Sequence, residues 1–141
     1  MMELHSNGKT IEEIEKVLQR IPIHQRIIPA IKSAHALGCD LRIVSDANTF
    51  FIETILKHLE ISEYFTEINT NPGYVNQEGR LRILPYHDFN KASHDCILCP
   101  PNMCKVYFFF MKNHFELILS SINYFLFLLI SSLLQILISS S

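Results

Sequence analysis

Charge divides this chain more sharply than any motif does. From residue 106 to residue 141 the only charged side chains are Lys112 and Glu116, and the 22 residues from Leu117 to Ile138 carry none. A helix that is apolar all round must be buried on every side or lie in lipid, so this stretch does not read as the surface helix of a small soluble domain. Its length would suffice to cross a bilayer, which takes about 20 residues. Two parts follow: a charged, patterned region over 1–105, and a hydrophobic tail over 106–141 expected as an apolar C-terminal helix. Net charge is −2, which offers no surface for nucleic acid. The polar start, Met1 to Thr10, has no signal-peptide character. A cytoplasmic, reducing setting is therefore expected for Cys39, Cys96, Cys99 and Cys104, with membrane anchoring as the alternative if the tail is genuine.

Within the first part the hydrophobic period changes several times. Thr10 followed by Glu13 fits a capping box, and Ile11, Ile14, Val17, Leu18 and Ile21 fall on one helical face before Pro22. A second helix is expected from about Pro29, with Ile27, Ile31, Ala34 and Leu37 on its apolar face and Gly38 after its end. Leu41 to Val44 reads as a strand buried in a parallel sheet. A helix from about Asn48 to His58 would turn Phe51, Ile52, Ile55, Leu56 and Leu59 inward. Phe65 to Asn69 suggests another strand, and Asn71-Pro72-Gly73 a turn. Tyr74-Val75 and Leu81 to Leu84 read as a hairpin with one wet face, because Arg80 and Arg82 alternate with Leu81 and Ile83. The order helix, strand, helix, strand predicts an α/β domain.

Three local features carry chemistry. Ser45, Asp46 and Asn48 stand where a strand ends and a helix begins. Such a junction offers free N–H groups to a phosphate, and Ser45 would add a hydroxyl. The plainer reading is that one of the three caps the helix. Lys105, after Pro100-Pro101-Asn102-Met103-Cys104, is by itself either a solvated side chain or a point charge for a phosphoryl group. His94, Cys96, Cys99 and Cys104, with His87 nearby, supply the ligand types of a zinc site, against the reading of a loop of ordinary thiols. Gly8-Lys9-Thr10 is no P-loop, since the first glycine of that pattern would fall at Glu3.

Taken together, Arg42-Ile43-Val44-Ser45-Asp46-Ala47-Asn48-Thr49-Phe50-Phe51-Ile52-Glu53, Thr70-Asn71-Pro72, Tyr86-His87 and Cys99-Pro100-Pro101-Asn102-Met103-Cys104-Lys105 give a resemblance over about residues 6–105. The chain resembles phosphatases of the haloacid dehalogenase superfamily related to phosphoethanolamine/phosphocholine phosphatase, a group that includes plant inorganic pyrophosphatases and thiamine phosphate phosphatases. The resemblance implies a partial Rossmann-like core with a remnant of a helical cap. It implies hydrolysis of small phosphate monoesters or pyrophosphate through an aspartyl-phosphate, with Mg²⁺ as cofactor. Ser45 then matches the hydroxyl that holds phosphate, and Lys105 matches the lysine that holds phosphate and neutralises the phosphoaspartate. Asp46 matches a position that contacts the leaving group. The partner implied is a small phosphorylated metabolite or pyrophosphate.

The chain departs from the pattern in two places. Its four aspartates are Asp40, Asp46, Asp88 and Asp95, so no Asp-x-Asp nucleophile motif occurs, and beyond Lys105 Glu116 is the lone carboxylate. The nucleophile and the Mg²⁺ ligands are expected to be missing, with the chain beginning after the first and diverging before the second. The expectation is a truncated phosphatase domain that is inactive alone, or a non-catalytic phosphate-binding or regulatory remnant. The resemblance stops at Val106, where the tail reads as a frame or splice change or as a membrane anchor over 117–138.

Overall fold

A computed structural model describes residues 8–88, 90, 91 and 94–105. The tail over 106–141, and with it the expected apolar helix and the bilayer span at 117–138, lies outside the described residues. Among the described residues no helix is long and apolar enough to cross a membrane.

The capping box forms as expected. The Glu13 amide donates to Thr10 Oγ1 at 3.3 Å and the Thr10 amide donates to Glu13 Oε2 at 2.9 Å. Helix α1 runs over Ile11–Leu18, ending ahead of Ile21. The Glu12 backbone amide, and then the Thr10 hydroxyl, hold the Glu12 carboxyl below the usual carboxylate range. Helix α2 spans Ile27–Ala36 and so starts two residues before Pro29, which occupies its first turn, where a missing N–H costs nothing. Leu37, expected on the apolar face, is 83% exposed. It is the C-cap residue, and the chain turns away there into Gly38 at φ 81°.

Strand β1 covers Arg42–Asn48, longer than the apolar run Leu41–Val44 alone. Helix α3 follows without a loop at Thr49–His58. A short 3₁₀ turn over Ser62–Tyr64 leads to β2, Glu67–Asn71. That strand lies two residues further along than Phe65–Asn69, because Thr66 closes the preceding turn instead: its hydroxyl donates to Asp40 Oδ1, and its amide donates to the Leu41 carbonyl at 2.9 Å. Strands β3, Gly73–Val75, and β4, Leu81–Ile83, make the expected antiparallel hairpin.

Strands β1 and β2 pair in parallel, Arg42 with Glu67 through Ser45 with Thr70, and then Asn48 with Asn71 after an irregularity at Asp46-Ala47. The described residues are thus mixed α/β, with one small parallel sheet and one small antiparallel sheet among them. Helix α3 joins two apolar clusters. Phe51 and Ile55 pack with Ile14, Leu18 and Ile21 of the α1 region and with Leu81 of the hairpin. Ile52 and Leu56 pack with Ile31, Leu41, Ile43 and Ile61. Being buried on two sides fixes where its N-terminus sits, and that end carries the site.

Candidate functional site

The carboxyl end of β1 is polar although it is buried. Ser45, Asn48, Asn69, Thr70 and Asn71 are all less than a tenth exposed. Polar groups at that depth need partners, and most find them. The Asn48 side chain accepts from the Phe51 amide at 3.0 Å, so Asn48 caps α3 and Ser45 is released from that duty. Ser45 Oγ accepts from the Ala47 amide at 3.2 Å and keeps its own proton for another acceptor. The Thr49 hydroxyl donates to the Gly73 carbonyl at 2.9 Å and accepts from the Gly73 amide at 2.8 Å. That clasp brings the hairpin against the start of α3. A Cβ on Gly73 would lie 2.9 Å from Asn48 Oδ1.

Asn71 organises the rest. Where the β1–β2 ladder is interrupted, the carbonyls of Asp46 and Ala47 lose their ladder partners. The Asn71 Nδ2 group donates to both, at 2.8 and 2.9 Å. Its Oδ1 accepts from the Tyr86 amide at 3.0 Å and from Asn102 Nδ2 at 3.1 Å. One side chain therefore ties the strand end to two later segments. The His87 amide donates to the Asn102 carbonyl at 2.9 Å, and the next residue, Met103, is fully buried.

This anchoring delivers Lys105 to the strand end. Its Nζ lies 2.7 Å from Asp46 Oδ2, with side-chain exposures of 30% and 16%. Ser45, Asp46 and Lys105, expected from separate motifs, thus occupy one region, Asp46 adjoining Ser45 in the chain and Lys105 paired to Asp46. Asp46 Oδ1 and Thr70 Oγ1, the latter on the residue paired with Ser45 in the strand register, are buried without a hydrogen-bond partner, as is His87 Nε2. Asn71, Asn102 and Thr70 are the residues that sequence reasoning passed over as site components. Asn71 was absorbed by the turn reading of Asn-Pro-Gly, and the signal that would have found it is an amide at the end of a buried strand.

Three of the four zinc-type residues also meet. Ligand atoms of His94, Cys96 and Cys104 all lie within 4.8 Å of one another. The Cys96 thiol has a lowered pKa, caused first by the Leu98 amide and then by the thiols of Cys99 and Cys104 and the Cys99 amide, against some desolvation. No disulfide joins the cysteines. By contrast, a cleft of about 400 Å³ lies on the α1–α3 face, lined by Glu15, Gln19, Phe50, Glu53, Thr54, Lys57 and His58. None of the expected site residues lines it.

Comparison with known proteins bears on this arrangement. The family model described as "Putative Phosphatase" matches residues 1–117. Inorganic pyrophosphatase 2 of Arabidopsis thaliana is 73% identical over 105 residues, which is 74% of this chain and 38% of that protein. Inorganic pyrophosphatase 1 of the same plant is 69% identical over 107 residues, 74% of this chain and 36% of that protein. A thiamine phosphate phosphatase-like protein, also from Arabidopsis thaliana, is 54% identical over 105 residues, 74% of this chain and 43% of that protein. The chain matches about two fifths of the length of these relatives. No solved structure matches it.

Proposed function

Because the chain belongs to the phosphatase family whose model covers residues 1–117, we propose that its strand-end site is the phosphate-holding part of a phosphatase acting on small phosphate monoesters or pyrophosphate. The observation that carries this reading is the pairing of Lys105 Nζ with Asp46 Oδ2 at 2.7 Å, at the residue that follows Ser45 in the chain. A lysine held against one oxyanion at a strand–helix junction is placed to hold another. Phosphate would accept from the Ser45 hydroxyl and from Lys105, with first-turn amides of α3 adding partial positive charge. Asp46 would meet the leaving group. Its Oδ1 and the Thr70 hydroxyl, both buried without partners, have hydrogen-bonding capacity that a bound substrate can use. In the family reading these groups belong to a partial Rossmann-like core over residues 1–105, with a cap remnant.

The described residues do not fit a magnesium site. Asp40 is engaged by Arg42 and Thr66, and Asp46 by Lys105. Among the described residues the group of three potential ligands that converges is one histidine with two cysteines, a soft set unsuited to magnesium. The chain also contains no Asp-x-Asp. Removing the catalytic nucleophile of a serine protease costs about 10⁶ in turnover, and a phosphatase without its nucleophile faces a loss of the same nature. This chain alone is therefore expected to bind phosphate without hydrolysing its esters.

The test is a pair of measurements on the full chain. Inorganic phosphate at about 100 times its Kd should stabilise the fold by about 2.7 kcal/mol, and the Ser45→Ala/Lys105→Ala variant should lose that response. Phosphate release from pyrophosphate with magnesium supplied should not exceed that of the same variant. Absence of stabilisation refutes the phosphate site. Release above the variant refutes the inactivity of the chain.

A further inference from the structure

The geometry points to a structural zinc site formed by His94, Cys96, Cys99 and Cys104, which staples the loop that carries Lys105. Three observations carry it. Ligand atoms of His94, Cys96 and Cys104 already lie within 4.8 Å of one another. A tetrahedral zinc with sulfur at about 2.3 Å holds its ligands about 3.8 Å apart, so closing the site needs shifts of about 1 Å. Cys99, three residues after Cys96 in the same loop and partly exposed, is the available fourth ligand.

The histidine is oriented as a ligand would be. His94 Nε2 lies 3.0 Å from the Pro100 carbonyl oxygen, which can only accept, so Nε2 carries the proton. The Cys96 amide, which can only donate, points at Nδ1 from 3.2 Å. Nδ1 is therefore the lone-pair atom, and a zinc ion bound there would take the place of the Cys96 amide. An imidazole whose second nitrogen donates to a backbone carbonyl is the usual arrangement around a zinc-bound histidine. Coordination would release three thiol protons and leave one zinc with three thiolates and a neutral imidazole, a centre of net charge −1.

The site lies outside the phosphate-holding residues but acts on them. Cys104 directly precedes Lys105, and Asn102, inside the same loop, bonds Asn71. A staple through Cys104 would fix the backbone from which Lys105 reaches Asp46. The inference does not rest on the phosphatase reading, and a chain that takes up zinc but ignores phosphate would keep the one and lose the other.

The test uses the full chain, purified with its thiols reduced, stripped with a chelator and titrated with cobalt(II) and then zinc. Cobalt should bind one equivalent per chain with the visible bands and thiolate charge-transfer absorption of a tetrahedral thiolate site, and zinc should bleach them. With zinc bound, the partly exposed Cys96 and Cys99 should lose their rapid reaction with a thiol reagent, while Cys39 keeps its own. Cys99→Ser and Cys104→Ser should each weaken binding by more than about 100-fold, beyond the loss from a supporting partner, whereas Cys39→Ser should leave it unchanged. Failure of the parent chain to bind cobalt overturns the inference, as does binding unaffected by Cys104→Ser. A disulfide among these cysteines that persists in reductant overturns it too.

Discussion

Replacing Asn71 by alanine should loosen the strand-end site and the fold together. The side chain is 5% exposed and makes four hydrogen bonds: two to the carbonyls of Asp46 and Ala47, one from the Tyr86 amide and one from Asn102 Nδ2. At about 0.5–1.5 kcal/mol net for each, the loss lies between about 2 and 6 kcal/mol. The half-buried Asn102 can turn toward water, so a value near 3 kcal/mol is expected. That is a large fraction of the stability of an ordinary domain, about 5–15 kcal/mol. The amide orientation is forced, with two carbonyls on one side and two donors on the other. Asn71→Asp is therefore the sharper variant. It keeps the acceptor for Tyr86 and Asn102 but sets a carboxylate oxygen against two carbonyl oxygens, and it should be no more stable than Asn71→Ala. Urea unfolding followed by far-UV circular dichroism suits the purpose, because the chain has no tryptophan. An unchanged slope with a lower midpoint would report a true stability loss. A double-mutant cycle with Asn102→Ala should return about 0.5–1.5 kcal/mol of coupling. The reasoning is refuted if Asn71→Ala costs less than about 0.5 kcal/mol, or if Asn71→Asp matches the parent.

Two further outcomes follow from packing. Ile52 is fully buried on α3 among Ile31, Leu41, Ile43, Leu56 and Ile61, so Ile52→Ala should destabilise by about 2–5 kcal/mol in the same denaturation assay; a loss under 1 kcal/mol would mean this cluster is not a packed core. Gly73→Ala would drive a methyl to 2.9 Å from Asn48 Oδ1 and should cost about 1–3 kcal/mol. Hydrogen exchange of the Phe51 amide, which Asn48 holds, should quicken in that variant, and an unchanged rate would show that the cap moves without strain.

Much of the local structure was legible because local chemistry dictates it. Thr10 and Glu13 are three residues apart, and that spacing alone closes a capping box. The inward faces of α1 and α3 follow from 3.6-residue periodicity, and the hairpin follows from alternation around Asn76-Gln77-Glu78-Gly79. The readings that missed were those in which a neighbour overrides the period. Leu37 has the right spacing for the apolar face of α2, but the chain leaves the helix there and the side chain points to water. Strand β1 runs past its apolar residues because parallel pairing with β2 holds Ser45 in register with Thr70, whatever its hydropathy. Which of Ser45, Asp46 and Asn48 caps α3 was open in the sequence. The extended backbone of Asn48 directly before the helix decides it.

By itself the sequence determined the kinds of element, their order, and the residues worth watching: Ser45, Asp46, Lys105 and the His94–Cys104 set. Spacing along the chain records local hydrogen bonds and periodic burial, and these need no knowledge of distant segments. Only the tertiary structure decided that Lys105 pairs with Asp46, that Asn71 links the strand end to Tyr86 and Asn102, and that His94, Cys96 and Cys104 gather into one cluster. Those contacts depend on the parallel register of two strands, on the interruption at Asp46-Ala47 that frees two carbonyls for an amide, and on how the loop after His87 folds back. None of them has a periodicity to read, because each is set by which segment fills the space beside another.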